Sequence, residues 1–386
     1  MKPKICFVNP TVILKRPVAQ LINRLKKDYE VALLIPHKAG KKLDDSMHYS
    51  KLKGVKIFTY PTKNLSNIPQ EWPVPTDKAF KKHLEHIFTH YDIIHMWTHF
   101  YLTNFRIFWK KSLRKDKKPK LILTMDTLPG YSFSAGKKLD SSFKIYTNTT
   151  GWLVFGAPDK ITLYGRPLLK FAKKSRINMK KVRVLSTGID TKNIKGQNIR
   201  KKLGVKDDET MILFVGLMLY ERKGIDTIIK TIKKLEKEKV KVFLAGGGPE
   251  LGKAKAIVKK LKLEKKIKFL GFRKDVDDLY ESADIFFFPS RGEGLAGAIM
   301  ESMAHGLPVV STNIPCTTDL VEDGKTGYLC GTESVDCFAQ RLKGLINNKK
   351  LREQMGKAAK EKIKDFDWEI VVKKYEAMYE KLLKSS

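Results

Sequence analysis

Two glutamates, Glu293 and Glu301, lie eight positions apart in the stretch SRGEGLAGAIMESMAHGLPVVST, among residues that are nearly all small or apolar. A carboxylate in a loop can accept hydrogen bonds from a sugar hydroxyl, and one on a helix can accept them from the vicinal diol of a ribose. Glycines let a ligand approach the backbone closely, and the free amides at the start of a helix attract phosphate. The stretch is therefore a candidate site for a sugar joined to a pyrophosphate. Two solvated glutamates in an ordinary turn are the alternative.

A pair of cations, Arg222 and Lys223, precedes Gly224 in the segment VGLMLYERKGIDTIIK. Fixed positive charge at this position could neutralise a departing diphosphate without any proton transfer. The alternative is a solvated basic pair, although cations are mildly unfavourable at the start of a helix. The glycine cluster AGGGPE follows the next predicted strand, and a tight turn with Pro249 opening a helix is enough to explain it.

The residue pattern does not indicate a metal site. The DxD motif formed by Asp275 and Asp277 falls on a predicted helix, away from the end of a strand, so we interpret it as surface. The cysteines show neither a CxxC pair nor histidines at ligand spacing. We therefore expect all four to be reduced and structural: Cys6, Cys316, Cys330 and Cys337.

The elements that would position these groups are strands that alternate with amphipathic helices almost from end to end. The first half begins with KICFVNP, RPVAQLINRLKKD and EVALLIP, and the second half starts again with MILFVG, GIDTIIKTIKKLEKE and KVFLAGG. This order predicts an α/β fold with two doubly wound parallel sheets, whose ligands bind at the carboxyl ends of the strands. The polar stretch TKNIKGQNIRKKLGVKDDE separates a predicted domain at residues 1–190 from one at 191–366. Residues 367–386 form a predicted amphipathic helix.

The charge of the chain is strongly basic and unevenly spread. The sequence holds 76 Lys and Arg against 41 Asp and Glu, a net charge of +35. Residues 1–190 hold 37 basic and 13 acidic side chains, a net +24, which leaves +11 for the rest. This asymmetry favours an anionic partner for the first domain, such as acidic lipid headgroups or nucleic acid. Solvated basic helix faces are the alternative.

Two basic segments with apolar residues, NFRIFWKKSLRKDKKPK and GRPLLKFAKK, are candidates for a membrane-facing surface, with core packing as the alternative. Their apolar members are Phe105, Phe108, Trp109, Leu168, Leu169 and Phe171. No apolar run approaches the roughly 18 residues that a spanning helix needs, and the first residues have too short an apolar core for a secretory signal. We therefore expect a cytoplasmic protein that is peripheral at the inner face of the cell membrane.

Five segments, in their order and spacing, resemble glycosyltransferase family 4, also called the group 1 glycosyltransferases: VGLMLYERKG, AGGGPE, GFRKDVDDLYESADIFFFPS, EGLAGAIMESMAHGLPVVST and VEDGKTGYL. The resemblance covers most of residues 210–331. Over the first 190 residues it is diffuse and rests on DIIHMW, LILTMD and VRVLSTGID. It implies the GT-B architecture, in which two Rossmann-like domains face a central cleft and the C-terminal helix crosses back to the N-terminal domain.

The resemblance also implies a retaining transferase that uses a nucleotide sugar, with the donor in the C-terminal domain and the acceptor in the N-terminal domain. Lys223, helped by Arg222, would bind the diphosphate. Glu293 would contact hydroxyls of the transferred sugar, and Glu301 would bind the ribose. Catalysis would be mainly electrostatic and positional. The remaining donor contacts would come from Gly294, Leu295, Ala296, Phe272 and Arg273, of which the last two would lie beside the base.

Three positions depart from the pattern of the family. Leu217 stands where an arginine is common, Ala296 where a glycine is usual, and Asp126 where a histidine often follows the strand LILT. Asp126 could still orient a hydroxyl or accept a proton, so it is a candidate catalytic residue, with a helix or turn cap as the alternative. His99, in DIIHMWTHF, is a candidate acceptor contact, whereas we expect His95 to be structural.

The sequence thus predicts a metal-independent enzyme, without a cofactor, that transfers a hexose from a UDP- or GDP-sugar to a lipid-linked or polysaccharide acceptor. Its predicted partners are the nucleotide sugar, the acceptor and an anionic membrane surface. A nucleic-acid-binding protein without transferase activity is the alternative. That alternative is weaker because the sequence contains no recognised nucleic-acid module.

Overall fold

The chain forms two compact units. Unit 1 consists of Met1–Gly188 and Trp368–Ser386, and unit 2 consists of Ile189–Asp367. The computed structural model describes the chain except for residues 13, 39–51, 65–72, 76–77, 117, 129–136, 193, 295 and 386. Each unit contains one sheet whose strands are nearly all parallel. The two sheets confirm the predicted α/β class with two doubly wound domains.

Unit 1 is built around an eight-stranded sheet. Its strands are β1 (Lys4–Val8), β2 (Glu30–Lys38), β3 (Lys56–Asn64), β4 (Pro73–Pro75), β5 (Ile93–Trp97), β6 (Lys120–Met125), β7 (Lys160–Leu163) and β8 (Val182–Val184). The helices that connect them are α1 (Arg16–Leu25), α2 (Lys78–His90), α3 (Leu102–Ser112), α4 (Lys137–Val154) and α5 (Leu168–Lys174). The strand order is β4-β3-β2-β1-β5-β6-β7-β8, and only the β3–β4 pair is antiparallel.

The strand order of unit 1 reverses direction at β1. This strand pairs with β2 on one side and with β5 on the other. Strands β5 and β6 are buried along their whole length, as their continuous apolar runs predict for strands covered on both faces. Because the winding changes direction between β1 and β5, the segments that follow β1, β5 and β6 meet at the carboxyl edge, where ligands of such sheets bind.

Unit 2 is built around a six-stranded, all-parallel sheet. Its strands are β9 (Thr210–Val215), β10 (Val240–Ala245), β11 (Ile267–Gly271), β12 (Ile285–Phe288), β13 (Val309–Thr312) and β14 (Gly327–Cys330). Its helices are α6 (Ile225–Lys234), α7 (Leu251–Lys260), α8 (Val276–Ser282), α9 (Gly297–Ala304), α10 (Val335–Ile346) and α11 (Lys349–Ile363). The strand order β11-β10-β9-β12-β13-β14 is the 3-2-1-4-5-6 order of a Rossmann sheet, with its switch point between β9 and β12.

The last helix, α12 (Trp368–Lys384), packs on unit 1. Its Tyr379 is buried and makes a 2.7 Å hydrogen bond between its hydroxyl and Nδ1 of His95 in β5. Its first residue, Trp368, lies so close to Gly188 that a Cβ at residue 188 would be 2.5 Å from the indole ring. The apolar face that periodicity predicts for this helix is therefore part of the core of unit 1.

The prediction that all four cysteines are reduced is wrong for two of them. Cys330 ends β14, Cys337 lies in α10, and the two form a disulfide with a Cα–Cα distance of 5.9 Å. The packing of α10 beside the end of β14 brings the two sulfurs together, and no local spacing rule indicates that contact. Cys6 and Cys316 are free.

The predicted membrane-facing segments lie only partly at the surface. Phe108 and Leu168 are buried in the core of unit 1, so neither can insert into a bilayer. Three further members, Phe105, Leu169 and Phe171, pack against that core. Trp109 alone among the six is largely exposed, at 49%. The core-packing alternative is therefore correct for Phe108 and Leu168.

Candidate functional site

Lys223 lies in the loop that follows β9, the first strand of unit 2. The next residue, Gly224, precedes α6 with φ 70°, a left-handed conformation that glycine adopts at little cost. A Cβ at this residue would lie 2.1 Å from the carbonyl oxygen of Pro289, which follows β12. The loops after β9 and β12, the two strands at the switch point, can therefore approach each other because residue 224 has no side chain.

This approach brings Lys223 against Glu293. Nζ of Lys223 lies 2.6 Å from Oε1 of Glu293, and the two side chains are only 13% and 8% exposed. Ser290 donates a second hydrogen bond from its hydroxyl to the same carboxylate oxygen, also at 2.6 Å. The sequence suggests a cation at an exposed helix start, whereas the structure shows one half of a buried ion pair. The pair joins the loop after β9 to the loop after β12.

Two further groups surround the ion pair. The Lys223 ammonium lies 5.6 Å from the centroid of the Phe288 ring. The free thiol of Cys316, in the segment between β13 and β14, lies close enough to Glu293 to respond to its charge: burial raises the pKa of this thiol, and the carboxylate raises it further. Ser290 could have been found from its place directly after a strand. Cys316 could not, because its segment reaches the site through tertiary packing.

Hydrogen bonds tie the two loops together. The backbone N–H of Arg291 donates to the carbonyl of Arg222 at 2.9 Å, and the hydroxyl oxygen of Ser290, whose proton goes to Glu293, lies 3.1 Å from the same carbonyl. The side chain of Arg222 is exposed. Leu217, earlier in the same loop, is 59% exposed and carries no charge that could replace the arginine common in the resembling family. The positive charge in the loop after β9 therefore comes from Arg222 and Lys223.

Helix α9 places the second glutamate of the opening motif. Its N-cap residue, Ala296, offers no side-chain cap to the first amides of the helix. Ala296 as a whole is buried, with 2% of its surface exposed, which leaves little of it for contact with a ligand. Further along the helix, Glu301 accepts a hydrogen bond from the hydroxyl of Tyr280 at 3.1 Å. Gly294 lies in the loop before the helix, and the predicted contact Leu295 lies outside the described residues.

The two residues predicted to lie beside the base follow β11, two strands away from β9. The Phe272 ring is 78% exposed, which leaves its face open for stacking. Arg273 is held by Asp275 through two bonds, Nε to Oδ1 at 2.8 Å and Nη2 to Oδ2 at 2.5 Å. This hydrogen bonding raises the pKa of Arg273 and lowers that of Asp275. The structure thus places these residues at the same sheet edge as Lys223 but on a separate loop.

No metal-binding group emerges from the described part of the chain: no three His, Cys, Asp or Glu side chains there are grouped as ligands. Of the DxD motif, Asp275 precedes α8 and binds Arg273, and Asp277 lies in that helix. The Asp277 carboxylate is 3.4 Å from Nε2 of His305. Both aspartates therefore lie near the surface and already have protein partners.

In unit 1, Asp126 follows the end of β6. Nζ of Lys15, the residue before α1, lies 3.1 Å from Oδ2 of Asp126. The other oxygen, Oδ1, is buried and has no hydrogen-bond partner among the described residues. A helix or turn cap would use this carboxylate to accept backbone amides, and among the described residues no backbone amide donates to Asp126. The carboxylate therefore has capacity for one more donor.

His99 follows β5 and lies near Asp126. It is buried, and burial lowers the pKa of its imidazole to about 4, against a smaller opposing effect of the Asp126 charge. Its Nδ1 has no partner among the described residues. In His95, by contrast, both ring nitrogens are hydrogen-bonded, Nδ1 to Tyr379 and Nε2 to Thr124. Burial lowers the pKa of His95 to about 3. His95 thus has the contacts of a structural residue, whereas His99 keeps a free ring nitrogen.

A family model described as "Glycosyl transferases group 1" matches residues 195–362. Over 96% of this chain, an uncharacterized glycosyltransferase of Methanocaldococcus jannaschii is 28% identical and is itself 95% covered. N-acetyl-alpha-D-glucosaminyl L-malate synthase of Bacillus anthracis is 26% identical, but the match covers only 48% of this chain and 49% of that enzyme.

Solved structures share the fold over almost the entire chain. A glycosyltransferase from Rickettsia africae has a TM-score of 0.78 and 18% identity, with all of both chains covered. Anabaena Alr3699/HepE, solved in complex with UDP and glucose, has a TM-score of 0.77 and 17% identity, with 98% of this chain and all of that chain covered.

Proposed function

Residues 195–362 match the group 1 glycosyltransferases, and we propose that the chain is a member of this family that transfers a hexose from a UDP- or GDP-linked sugar with retention of configuration. The observation that carries the proposal is the buried pair of Lys223 and Glu293 at the switch point of unit 2, beside the uncapped start of α9. A nucleotide sugar needs a cation for its diphosphate and an acceptor for its hydroxyls, and this site offers both. The UDP and glucose held by a structural neighbour support the same donor class.

The chemistry of the site is electrostatic. The bond between the anomeric carbon and the diphosphate oxygen breaks, the acceptor oxygen forms the new bond on the same face, and the departing diphosphate gains negative charge. The ammonium of Lys223 has three N–H donors and uses one on Glu293, so donors remain for phosphate. A cation fixed in a largely buried site stabilises this developing charge more than a solvated one does.

We propose that no divalent ion is required, since Lys223 and Arg222 place two positive charges at the diphosphate position. Turnover should then be unchanged when EDTA is present and when Mg²⁺ or Mn²⁺ is added. A strict dependence on either ion would contradict this part of the proposal.

The acceptor is proposed to bind at the carboxyl edge of the sheet in unit 1. Asp126 and His99 each keep a buried polar atom without a partner among the described residues, and a buried polar atom without a partner costs about 1–3 kcal/mol. A hydroxyl donates one hydrogen bond and accepts others, so it matches a carboxylate oxygen and an imidazole nitrogen. These atoms support a hydroxyl-bearing acceptor, lipid-linked or polysaccharide, for which Asp126 orients the hydroxyl or accepts its proton.

The membrane-facing surface is proposed to lie on α3 and α4, which contact each other. Exposed apolar residues on these helices and directly after α3 are Leu102, Trp109, Leu113, Ile145 and Trp152. The charged residues of α3 are all basic, but Lys110 pairs with Glu85 and Lys111 pairs with Asp159, so their attraction to an acidic bilayer is less than the about 1 kcal/mol that a free surface cation adds. Tryptophan is the side chain best suited to the headgroup boundary. None of the described helices is long and apolar enough to span a bilayer.

The donor proposal is tested by titrating UDP, GDP and ADP into the protein in a calorimeter and by following hydrolysis of UDP-glucose and GDP-mannose. We expect one diphosphate nucleotide to bind and its sugar conjugate to release free hexose. Absence of binding by all three nucleotides would contradict the proposal.

The membrane proposal is tested by sedimentation with vesicles that contain phosphatidylglycerol, compared with vesicles of phosphatidylcholine alone. Trp109→Ser combined with Trp152→Ser should weaken vesicle binding and leave duplex DNA binding unchanged. Ile370→Ser, at an exposed position of α12, is the matched control. Equal binding to acidic and neutral vesicles at low salt, or an equal loss in the control, would contradict the proposed surface.

A further inference from the structure

The Arg291 side chain donates four hydrogen bonds beside the proposed donor site. Its guanidinium donates twice to Asp226, from Nη1 to Oδ1 at 2.9 Å and from Nη2 to Oδ2 at 2.6 Å. It also donates from Nε to Glu333 at 2.7 Å and from Nη1 to the carbonyl of Glu221. These contacts raise the pKa of Arg291, with the Asp226 hydrogen bonds as the largest cause. The planar guanidinium thus matches the carboxylate of Asp226 in the two-point geometry that lysine cannot reproduce.

The two ends of this ion pair belong to the two loops that present Lys223 and Glu293. Arg291 lies two residues before Glu293, and Asp226 lies three residues after Lys223, in the first turn of α6. Asp226 is 8% exposed and Arg291 20% exposed at their side chains, so the pair is not an ordinary surface contact. Together with the bond from the Arg291 amide to the Arg222 carbonyl, it brackets Lys223 on both sides along the chain.

We propose that Arg291 and Asp226 are positioning residues for the donor diphosphate: their ion pair fixes the segment 221–226 against the segment 289–293 and so holds Lys223 where it meets phosphate. This inference rests on the proposed function, in which Lys223 binds the diphosphate. In the proposed function, neither Arg291 nor Asp226 touches the donor. The Lys223 ammonium is bonded to Glu293, and the further connections between the two segments, among them the Arg291–Asp226 pair, limit how far it can move when phosphate arrives. A displacement of about 1 Å at such a group can cost about 100-fold in rate.

The test is a double-mutant cycle read out as UDP affinity by calorimetry. Arg291→Lys keeps the charge and removes the two-point geometry, and we expect it to weaken UDP binding about 5–10-fold in the wild-type background. In a Lys223→Gln background the same change should cost less than about 2-fold, because residues that act through a shared partner are not additive. Asp226→Asn, which keeps the size of the side chain, should behave like Arg291→Lys and gives an independent measurement if the latter folds poorly.

Arg200 offers a matched control in the same unit. Its guanidinium binds Asp284 at 2.7 Å and the carbonyls of Ser282 and Glu209, and its side chain is 19% exposed, close to the value for Arg291. Arg200→Lys should lower the melting temperature and leave UDP affinity within about 2-fold of wild type. A purely structural ion pair gives this outcome.

The possible results separate the two proposals. Equal losses from Arg291→Lys in the wild-type and Lys223→Gln backgrounds, or no loss in either, would overturn the positioning role and leave the donor site intact. An unchanged UDP affinity in Lys223→Gln itself would overturn the donor site, and with it the role of Arg291. A UDP affinity that falls as much in Arg200→Lys as in Arg291→Lys would show a general loss of stability and would also overturn the positioning role.

Discussion

Units 1 and 2 present polar residues at equivalent places, the carboxyl ends of strands beside a switch point, but they satisfy those residues differently. In unit 2 the charged side chains form a largely buried ion pair, in which the Glu293 carboxylate accepts hydrogen bonds from Lys223 and from Ser290. In unit 1 buried atoms of Asp126 and His99 have no partner among the described residues. We interpret the first arrangement as preorganised for a ligand of large fixed charge and the second as open to a neutral ligand that brings its own hydroxyls.

Lys223→Gln removes the charge at the diphosphate position and keeps a donor for Glu293. We expect turnover of the nucleotide sugar to fall about 10²–10³-fold, the loss typical of one preorganised electrostatic contact. The fall in melting temperature should be smaller than that of Lys223→Ala, which strands a nearly buried carboxylate. Rates from sugar release and melting temperatures from calorimetry check both statements. Full activity in Lys223→Gln would remove the contrast between the two units.

Asp126→Asn changes the proposed acceptor site of unit 1 and should lower turnover without changing donor affinity. We expect about a 100-fold lower rate of transfer to the acceptor, which is at the low end for the loss of a positioned acid or base. UDP affinity should stay within about 2-fold of wild type, because no donor contact is proposed for this residue. Transfer rates and UDP calorimetry on the same preparation give the comparison. A weakened UDP affinity with unchanged transfer would reverse our assignment of the two units.

Mild acid should destabilise unit 1. Burial lowers the pKa of His99 from 6.5 to about 4 and that of His95 to about 3. Between about pH 6.5 and pH 4 the unfolded chain therefore binds protons that the folded chain does not, so the free energy of unfolding falls as the pH falls. From pH 7 to pH 5 each histidine removes about 2 kcal/mol.

Tryptophan fluorescence is a selective probe for this acid effect. All five tryptophans of the sequence lie in the residue ranges of unit 1, at Trp72, Trp97, Trp109, Trp152 and Trp368. Urea unfolding followed by this signal at pH 7 and pH 5 should show the loss, and His99→Asn should reduce it by about half. Identical midpoints at the two pH values would contradict the neutral, buried state of both histidines.

Glu301→Gln should have the smallest effect. The amide keeps one oxygen for Tyr280 or for a ribose hydroxyl and loses the charge, so we expect UDP affinity to fall about 5–10-fold, the equivalent of about 1–1.4 kcal/mol. Calorimetry with UDP and with uridine separates the ribose from the diphosphate, because both ligands should lose affinity by the same factor. A loss for UDP alone would move the contact from the ribose to the phosphates.

Local patterns in the sequence predicted much of this molecule. Alternating apolar runs and amphipathic helices gave the α/β class because strand and helix periodicities are properties of a few neighbouring residues. Motif spacing identified Lys223, Glu293 and Glu301 as candidates, and their functional roles stay predictions. The sequence pattern did not show whether Phe108 is buried, because a basic amphipathic segment has the same pattern whether its aromatic face contacts lipid or packs in a core.

Contacts between separate strands, helices and loops could not be predicted from the sequence. It determined the fold class, the excess of positive charge and the order of the chemical groups along the chain. The folded structure was needed to find the ion pairs Lys223–Glu293, Arg291–Asp226 and Lys15–Asp126 and the disulfide between Cys330 and Cys337. Each of these contacts joins residues from different strands, helices or loops. Their formation depends on sheet order and on close approaches such as that of Gly224 to Pro289, which no pattern of neighbouring residues encodes.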